Sequence, residues 1–367
     1  MKFLFFIFLF TMLCLSAQNT MVDSLSISNN NYIEEHHKQL NIKFEVSNEI
    51  KNYNLDFNSN KANISPNIGI RYAFGFNYRF ASIRLGIRPK LSDNSIEDKG
   101  KSDNFKIKIK LLFNEWSHKM EYNYVKGFYI KNTNDFILDN LENTNHIQFP
   151  DMKTNVFSGT SAYKFNQNYS VKAVESQTEI QIKSAGTVMP SIDYWFYNIS
   201  GTKKYKNPQG EIIEREKYNS FEGINTIVNI GYYYTFVYRK NWYANVYASP
   251  GVGMDFYKVK TKSPNEKYTK NYSDFVLSLQ SGVAVGYSTK KYYFGADFNS
   301  RISKENYGEN QFNFNTSTNT FHVFIGYRFR APKTVRKTID SIEEKVPILQ
   351  SEAPNYNWSL LTNHLHC

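Results

Sequence analysis

Among the seven histidines of this 367-residue chain, His322 is the one best placed to do chemistry. It falls on the polar side of an alternating run that begins at Phe321, and Ser278 and Ser249 take the polar side of two neighbouring runs. A serine hydrolase needs such a base within hydrogen-bond reach of its nucleophile. Any β-barrel large enough to place a histidine inside places serines inside as well, so His322 reads as a hydrogen-bonded interior residue. No pair of acidic residues at useful spacing accompanies it. His118 lies on the apolar side of its run beside Trp116, an interfacial position. His36-His37 and His364/His366 sit near the ends of the chain and lack a third fixed ligand. There is no phosphate loop and no nucleotide fingerprint. Loss of a leader containing Cys14 would leave only Cys367, which excludes an internal disulfide and a cysteine zinc site. The expectation is a protein that is not an enzyme and has no catalytic, cofactor or metal site. An enzyme acting on lipid or surface glycan is the competing reading, and it would rest on His322.

The second group with chemical potential is basic. Arg71, Arg79, Arg84, Arg88, Lys106, Lys108, Lys110, Lys119, Arg239, Arg301 and Arg328 share the polar side with only Glu121, Asp255 and Asp297. Lining a lumen, such a surplus favours anions, because rings of Arg and Lys select for them. Alternatively these charges form internal networks, since small barrels are usually packed or plugged. Internal networks are the preferred reading, so the expected function is a binding or structural scaffold or, with an open lumen, a narrow anion-favouring channel, with a small anionic solute as the candidate ligand. The formal net charge of +11 does not imply nucleic acid, because the charges alternate with apolar residues instead of clustering on a helix.

The elements that must position these residues are strands. Two-residue alternation recurs over segments of about ten residues, the length a tilted membrane strand needs. Leu40, Ile42, Phe44 and Val46 take one side against Asn41, Lys43, Glu45 and Ser47. Ile68 to Tyr78, Phe105 to Leu111 and Met120 to Tyr124 repeat the pattern. So do Ile224 to Tyr238, Trp242 to Phe256, Leu277 to Tyr287, Phe294 to Phe298 and Phe321 to Phe329. A secreted soluble sheet also alternates. Runs of fifteen or more residues exceed the usual soluble strand, and 17% aromatic content suits interfacial girdles. The expected fold is all-β, an antiparallel transmembrane β-barrel over residues 39–329. Mean hydropathy is low (−0.54), which a barrel tolerates because it hides apolar residues at alternate positions.

Short connections are expected near 79–80, 114–116, 166–168, 239–241 and 289–291, and long ones near 49–65, 89–103, 131–152, 200–222, 259–272 and 304–316. Thirteen strand-like segments emerge, whereas single-chain bacterial barrels carry an even number. The parity slips between Asn168 and Arg239. Either 168–199 holds one spanning strand fewer, or Tyr205–Tyr218, with its Asn207-Pro208-Gln209-Gly210 turn, adds one. Twelve strands is the expectation and fourteen the alternative.

Lys2, the apolar run Phe3–Leu15 and Ser16-Ala17-Gln18 have the layout of a secretory signal peptide cleaved after Ala17. Leu13 is bulkier than the small residue expected before a lipidated Cys14. Residues 18–38 read as a polar N-terminal arm. Residues 330–367 read as a periplasmic tail, with Val335–Lys345 compatible with a helix.

Several stretches carry a resemblance. They are Lys126-Gly127-Phe128-Tyr129, Phe149-Pro150-Asp151-Met152, Gln181-Ile182-Lys183-Ser184-Ala185-Gly186, Gly223-Ile224-Asn225, Lys240-Asn241-Trp242, Ser249-Pro250-Gly251 and Gly326-Tyr327-Arg328-Phe329. In this order they resemble an outer-membrane β-barrel family of Bacteroidetes-type bacteria, described as domain of unknown function 4421. The resemblance covers roughly residues 32–335. It implies the barrel, the cell outer membrane, contact with its lipid and passage through the barrel-assembly machinery, and it brings no substrate or catalytic residues. Glu179–Gly186 falls where the parity fails, and we expect it to fold inward as a constriction or lid.

Overall fold

In the computed structural model, the described residues are 31–57, 60–136, 145–201, 203–216, 218–263, 267–306 and 314–345. The expected signal peptide, most of the N-terminal arm and the tail beyond Lys345 lie outside them. The chain divides into Met1–Asn31 and Tyr32–Cys367, and every strand belongs to the second unit.

Seventeen strands run in chain order among the described residues: β1 (Ile33–Glu35), β2 (Gln39–Phe57), β3 (Asn60–Ser65), β4 (Ile70–Tyr78), β5 (Ala81–Ile87), β6 (Asp103–Leu112), β7 (Trp116–Ile130), β8 (Gln148–Tyr163), β9 (Glu179–Gln181), β10 (Ala185–Ser200), β11 (Lys204–Lys206), β12 (Ile212–Glu214), β13 (Tyr218–Tyr238), β14 (Trp242–Lys262), β15 (Lys267–Ser288), β16 (Tyr292–Asn306) and β17 (Phe314–Arg330). Twelve of them form one ring of antiparallel neighbours: β2, β4 to β8, β10, and β13 to β17. The ring closes where β17 pairs with β2, from Phe314↔Leu55 to Arg330↔Gln39. Closure leaves no sheet edge in the spanning region, the condition for a strand protein in lipid.

The faces are inverted relative to a soluble protein. On β13, Ile230 is 63% exposed and Asn229 1%. Along β14, Trp242, Val246, Val252, Met254 and Phe256 stand exposed. A contiguous apolar exterior of this size needs lipid around it. Aromatic residues gather at the short-turn end, where Trp242 packs on Tyr287 and Tyr292 on Tyr327, with ring centroids 4.9 and 5.0 Å apart. Beyond Phe256 the same face of β14 continues as Lys258, Lys260 and Lys262, so the apolar belt ends there.

The strand count resolves at twelve. Residues 168–199 hold one spanning strand, β10. The preceding stretch turns into the barrel as a plug, with a helix at Val171–Glu175 and β9, which pairs with β1 from the N-terminal side. The short turn expected at 166–168 is therefore the start of this plug. Tyr205–Tyr218 does not span: β11 and β12 form a small hairpin about Asn207–Gly210, and only its last residue begins β13. Much of the expected loops 49–65, 200–222 and 259–272 is strand, because β2, β13, β14 and β15 continue for 19 to 22 residues. About ten suffice to cross lipid, so these strands project beyond it on the long-loop side. Ile68, expected on the outward face, precedes β4 and is buried in an apolar cluster with Val125, Phe128, Phe149 and Ile199.

Gly127 has φ +89, and the β7–β8 register shifts beside it. Any Cβ there would collide with the Lys101 backbone, so this bulge requires glycine. A helix at Lys333–Lys345 follows β17, and its Asp340 and Glu343 pair with Arg79 at the β4–β5 turn. No helix among the described residues is long and apolar enough to cross a membrane.

Candidate functional site

Inward positions on β2, β4, β5, β6 and β7 bring their charges to a common interior cavity of about 370 Å³. Nine Lys and Arg side chains line it against five carboxylates. Each of four of those carboxylates serves at least two cations. Glu45 accepts from Arg84 Nε at 2.8 Å and lies 3.3 Å from Lys43 Nζ. Glu49 accepts from Lys106 at 2.7 Å and faces Arg71 at 3.9 Å. Glu121 lies between Lys106 at 2.9 Å and Lys108 at 3.1 Å. Glu175, on the plug helix, takes Lys110 at 2.5 Å and also Lys119.

The opposite wall is built differently. Tyr233, Asn245, Tyr247, Gln280 and Asn299 of β13 to β16 face the cavity with amides and aromatic rings. Behind them Asp193 is fully buried; it accepts from Thr160, from Asn229 at 2.9 Å, from Gln280 at 2.5 Å and from Arg301 at 3.2 Å. Arg301 also lies 4.7 Å from the Trp195 ring centroid. The carboxylate thus ties five strands together across the lumen wall.

The plug closes over the short-turn end through buried polar contacts. Asn41 donates to the carbonyls of Ser176 and Gln177 at 3.1 Å, and Arg328 Nε donates to Gln177 O at 2.8 Å. Gln177 sits at φ +59, a conformation uncommon for a residue with a Cβ, which turns its carbonyl to both donors. Asn245 donates to the Tyr169 hydroxyl at 2.9 Å. Tyr169 and Val171 pack with Leu112, Ala162, Ala185 and Met189 beneath the charged layer.

Of the residues singled out from sequence, Arg71, Arg84, Lys106, Lys108, Lys110, Lys119, Glu121, Asp297, Arg301 and His322 line this one cavity. Five others do not. Arg88 follows the end of β5 and donates to the Ser102 carbonyl. Asp255 lies toward the long-loop side, accepting from the Tyr197 hydroxyl at 2.9 Å. Arg328 is buried behind the plug, donating to Ser288 Oγ at 2.9 Å, with its guanidinium 4.6 Å from the Tyr293 ring. Alternation assigns a side chain to the inner face, but not its height or what packs in front of it. Arg79 and Arg239, also expected inside, occupy turns with φ +49 and +51, and Arg239 is exposed.

The basic surplus is smaller than the sequence suggested, because Glu45, Glu49, Glu175 and Asp193 were not counted. Glu45 already stood on the inward face by alternation. Glu49 and Asp193 were hidden in an assumed loop and in the region of failed parity, while Glu175 on a helix gave no periodic signal. Glu179–Gly186, expected to fold inward, is divided: Glu179–Gln181 belongs to the plug, whereas Ala185 and Gly186 open β10 in the wall. The inward segment begins earlier and includes the helix.

His322 Nδ1 meets Asp297 at 2.7 Å and its Nε2 faces Glu45 at 3.5 Å. Both nitrogens thus face carboxylates, and neither bonds Ser278 or Ser249. His118 stacks on Trp116 with the rings 2° from parallel. Among the described residues no group of three or more His, Cys, Asp or Glu side chains is arranged for a metal.

Solved outer-membrane barrels are similar to this chain in architecture. The outer membrane protease OmpT from Escherichia coli shares 10% identity at TM-score 0.39, covering 82% of this chain and 100% of its own. The translocator domain of the autotransporter NalP from Neisseria meningitidis shares 8% at TM-score 0.37, covering 80% and 90%. The Pseudomonas putida toluene transporter TodX shares 7% at TM-score 0.26, covering 82% and 90%. Likenesses this distant carry nothing about activity. No curated protein matches the chain. The model of one family, described as domain of unknown function (DUF4421), matches residues 22–329, and the chain belongs to that family.

Proposed function

We propose that this protein is a non-enzymatic barrel of a Gram-negative, Bacteroidetes-type outer membrane that holds a small anionic solute in its plugged lumen. In this reading it is exported by a cleaved signal peptide and inserted by the barrel-assembly machinery. The observation that carries it is the excess of cavity-lining cations over carboxylates, nine to five, or nine to six once Asp193 behind Arg301 is counted. With four carboxylates each already divided between two or more cations, the surplus is met most favourably by an anion from solution, because uncompensated charge in a low-dielectric interior is costly. The plug argues for a binding chamber with a gated exit over an open pore.

The test is calorimetry on the detergent-solubilised barrel with inorganic phosphate, joined to reversal potentials in planar bilayers under a salt gradient. Lys108 is the informative substitution, because Glu121 keeps Lys106 when Lys108 is lost. We expect saturable phosphate binding, weakened roughly tenfold by Lys108→Met, the worth of one charge-assisted hydrogen bond. Absence of phosphate binding together with cation preference would overturn the reading.

A further inference from the structure

Away from the basic cavity, β13, β14 and β15 place three oxygen-bearing side chains in one row on the inner wall. Asn225 pairs in register with Asp255, and Asp255 with Asp274. Their outward neighbours Ile224, Phe256 and Phe275 are exposed, so all three side chains face inward. They are 8%, 3% and 6% exposed. Asp255 Oδ1, Asp274 Oδ2 and Asn225 Oδ1 are each buried without a hydrogen-bond partner. Neither carboxylate forms an ion pair among the described residues. The second oxygen of Asp255 is held by the Tyr197 hydroxyl at 2.9 Å, which orients the carboxyl.

The surroundings compensate only through hydrogen bonds, from Tyr197 and Asn225 to Asp255 and from Tyr257 to Asp274, and supply no cation among the described residues. Ile227 and Val276, 1% and 0% exposed, lie in the adjacent inward row. In the inward row on the other side of the pair, Tyr257 and Tyr272 stack with centroids 5.3 Å apart. Like charges directly opposite in a ladder repel, with Cβ atoms roughly 5 Å apart. That spacing lets two carboxylates share one ion whose ligand distances are about 2.3–2.6 Å, as for calcium. Oxygen-only donors without His or Cys select a hard cation.

We propose that Asp255, Asp274 and Asn225 bind one hard divalent cation of the calcium class, with water completing its shell. The ion neutralises the facing carboxylates and satisfies the three orphaned oxygens. It clamps three neighbouring strands just below the point where they project beyond the lipid. The proposal is independent of the anion cavity, which none of these three residues lines.

Terbium luminescence tests it on the intact barrel in detergent, because Tyr197, Tyr257 and Tyr272 lie close enough to sensitise a bound lanthanide. Wild type should show saturable emission near one ion per chain, displaced by Ca²⁺, and a higher Tm in Ca²⁺ than in chelator. Asp274→Asn should abolish the displaceable emission and the calcium-dependent Tm shift, with heat-modifiable gel migration reporting that the barrel is folded. Asn225→Asp adds a ligand charge and should tighten Ca²⁺ binding roughly tenfold. If Asp274→Asn fails to fold, Asn225→Asp and the wild-type titration still decide. Two results overturn the site. One is a wild-type barrel with no displaceable emission and no calcium effect on Tm, which means that the carboxylates share a proton. The other is Asn225→Asp leaving calcium affinity unchanged or weaker.

Discussion

Replacing Glu175 by Gln removes the charge that ties the plug helix to the barrel wall. The Glu175 carboxylate accepts from Lys110 Nζ at 2.5 Å and also pairs with Lys119. Deleting one member of a buried pair typically costs about 3 kcal/mol or more. The Lys119 side chain is 35% exposed, so solvent screening lowers the expected loss to about 2 kcal/mol. The contacts of Asn41 and Arg328 with the plug backbone remain, so the variant keeps its plug but releases it more often. A loss of about 2 kcal/mol corresponds to roughly thirtyfold in the released-to-seated ratio. Single-channel recording in planar bilayers reads this directly. Glu175→Gln should open about thirtyfold more often than wild type at the same unit conductance, with greater anion preference, because two lysines lose their counter-charge. A folded Glu175→Gln barrel that opens no more often than wild type refutes the reasoning.

Two further predictions concern the ends of the functional argument. His36 directly follows β1, which pairs with β9 of the plug, and burial, aided by nearby Arg328, pushes it down to about 4, against about 6.5 when unfolded. A histidine kept neutral by folding takes up its proton first in the released state. Its contribution is therefore complete above pH 6.5 and is lost as pH falls from there toward 4. Protease cleavage of the plug should rise over that window and be flatter in His36→Gln, and equal profiles would count against the assignment. For His322, held between Asp297 and Glu45, we expect no lipid-acyl hydrolase activity in detergent from either wild type or His322→Ala. A wild-type activity abolished by that substitution would establish the enzyme reading.

Legibility in the sequence followed the range of the interaction. Strand identity and face were readable because alternation is local: Ile70 to Phe76 and Ile224 to Phe236 declare their outward sides within a few residues. The plug was readable only at its last residues, where Glu179–Gln181 was expected to fold inward. Ser170–Gln181 is mixed in polarity and is held by partners more than 100 residues away, Asn41 and Arg328 among them. The same holds for Asp274, which resembles any polar strand residue until it stands opposite Asp255.

By itself, then, the sequence determined a closed antiparallel barrel with an apolar exterior and a basic interior, since a two-residue period places every second side chain in lipid or lumen. Only the tertiary structure decided that the strands number twelve and that a helix occupies the lumen. It also decided which carboxylates share which lysines. Those outcomes depend on ring closure, which brings β17 to β2, and on distances across the lumen that no local pattern encodes.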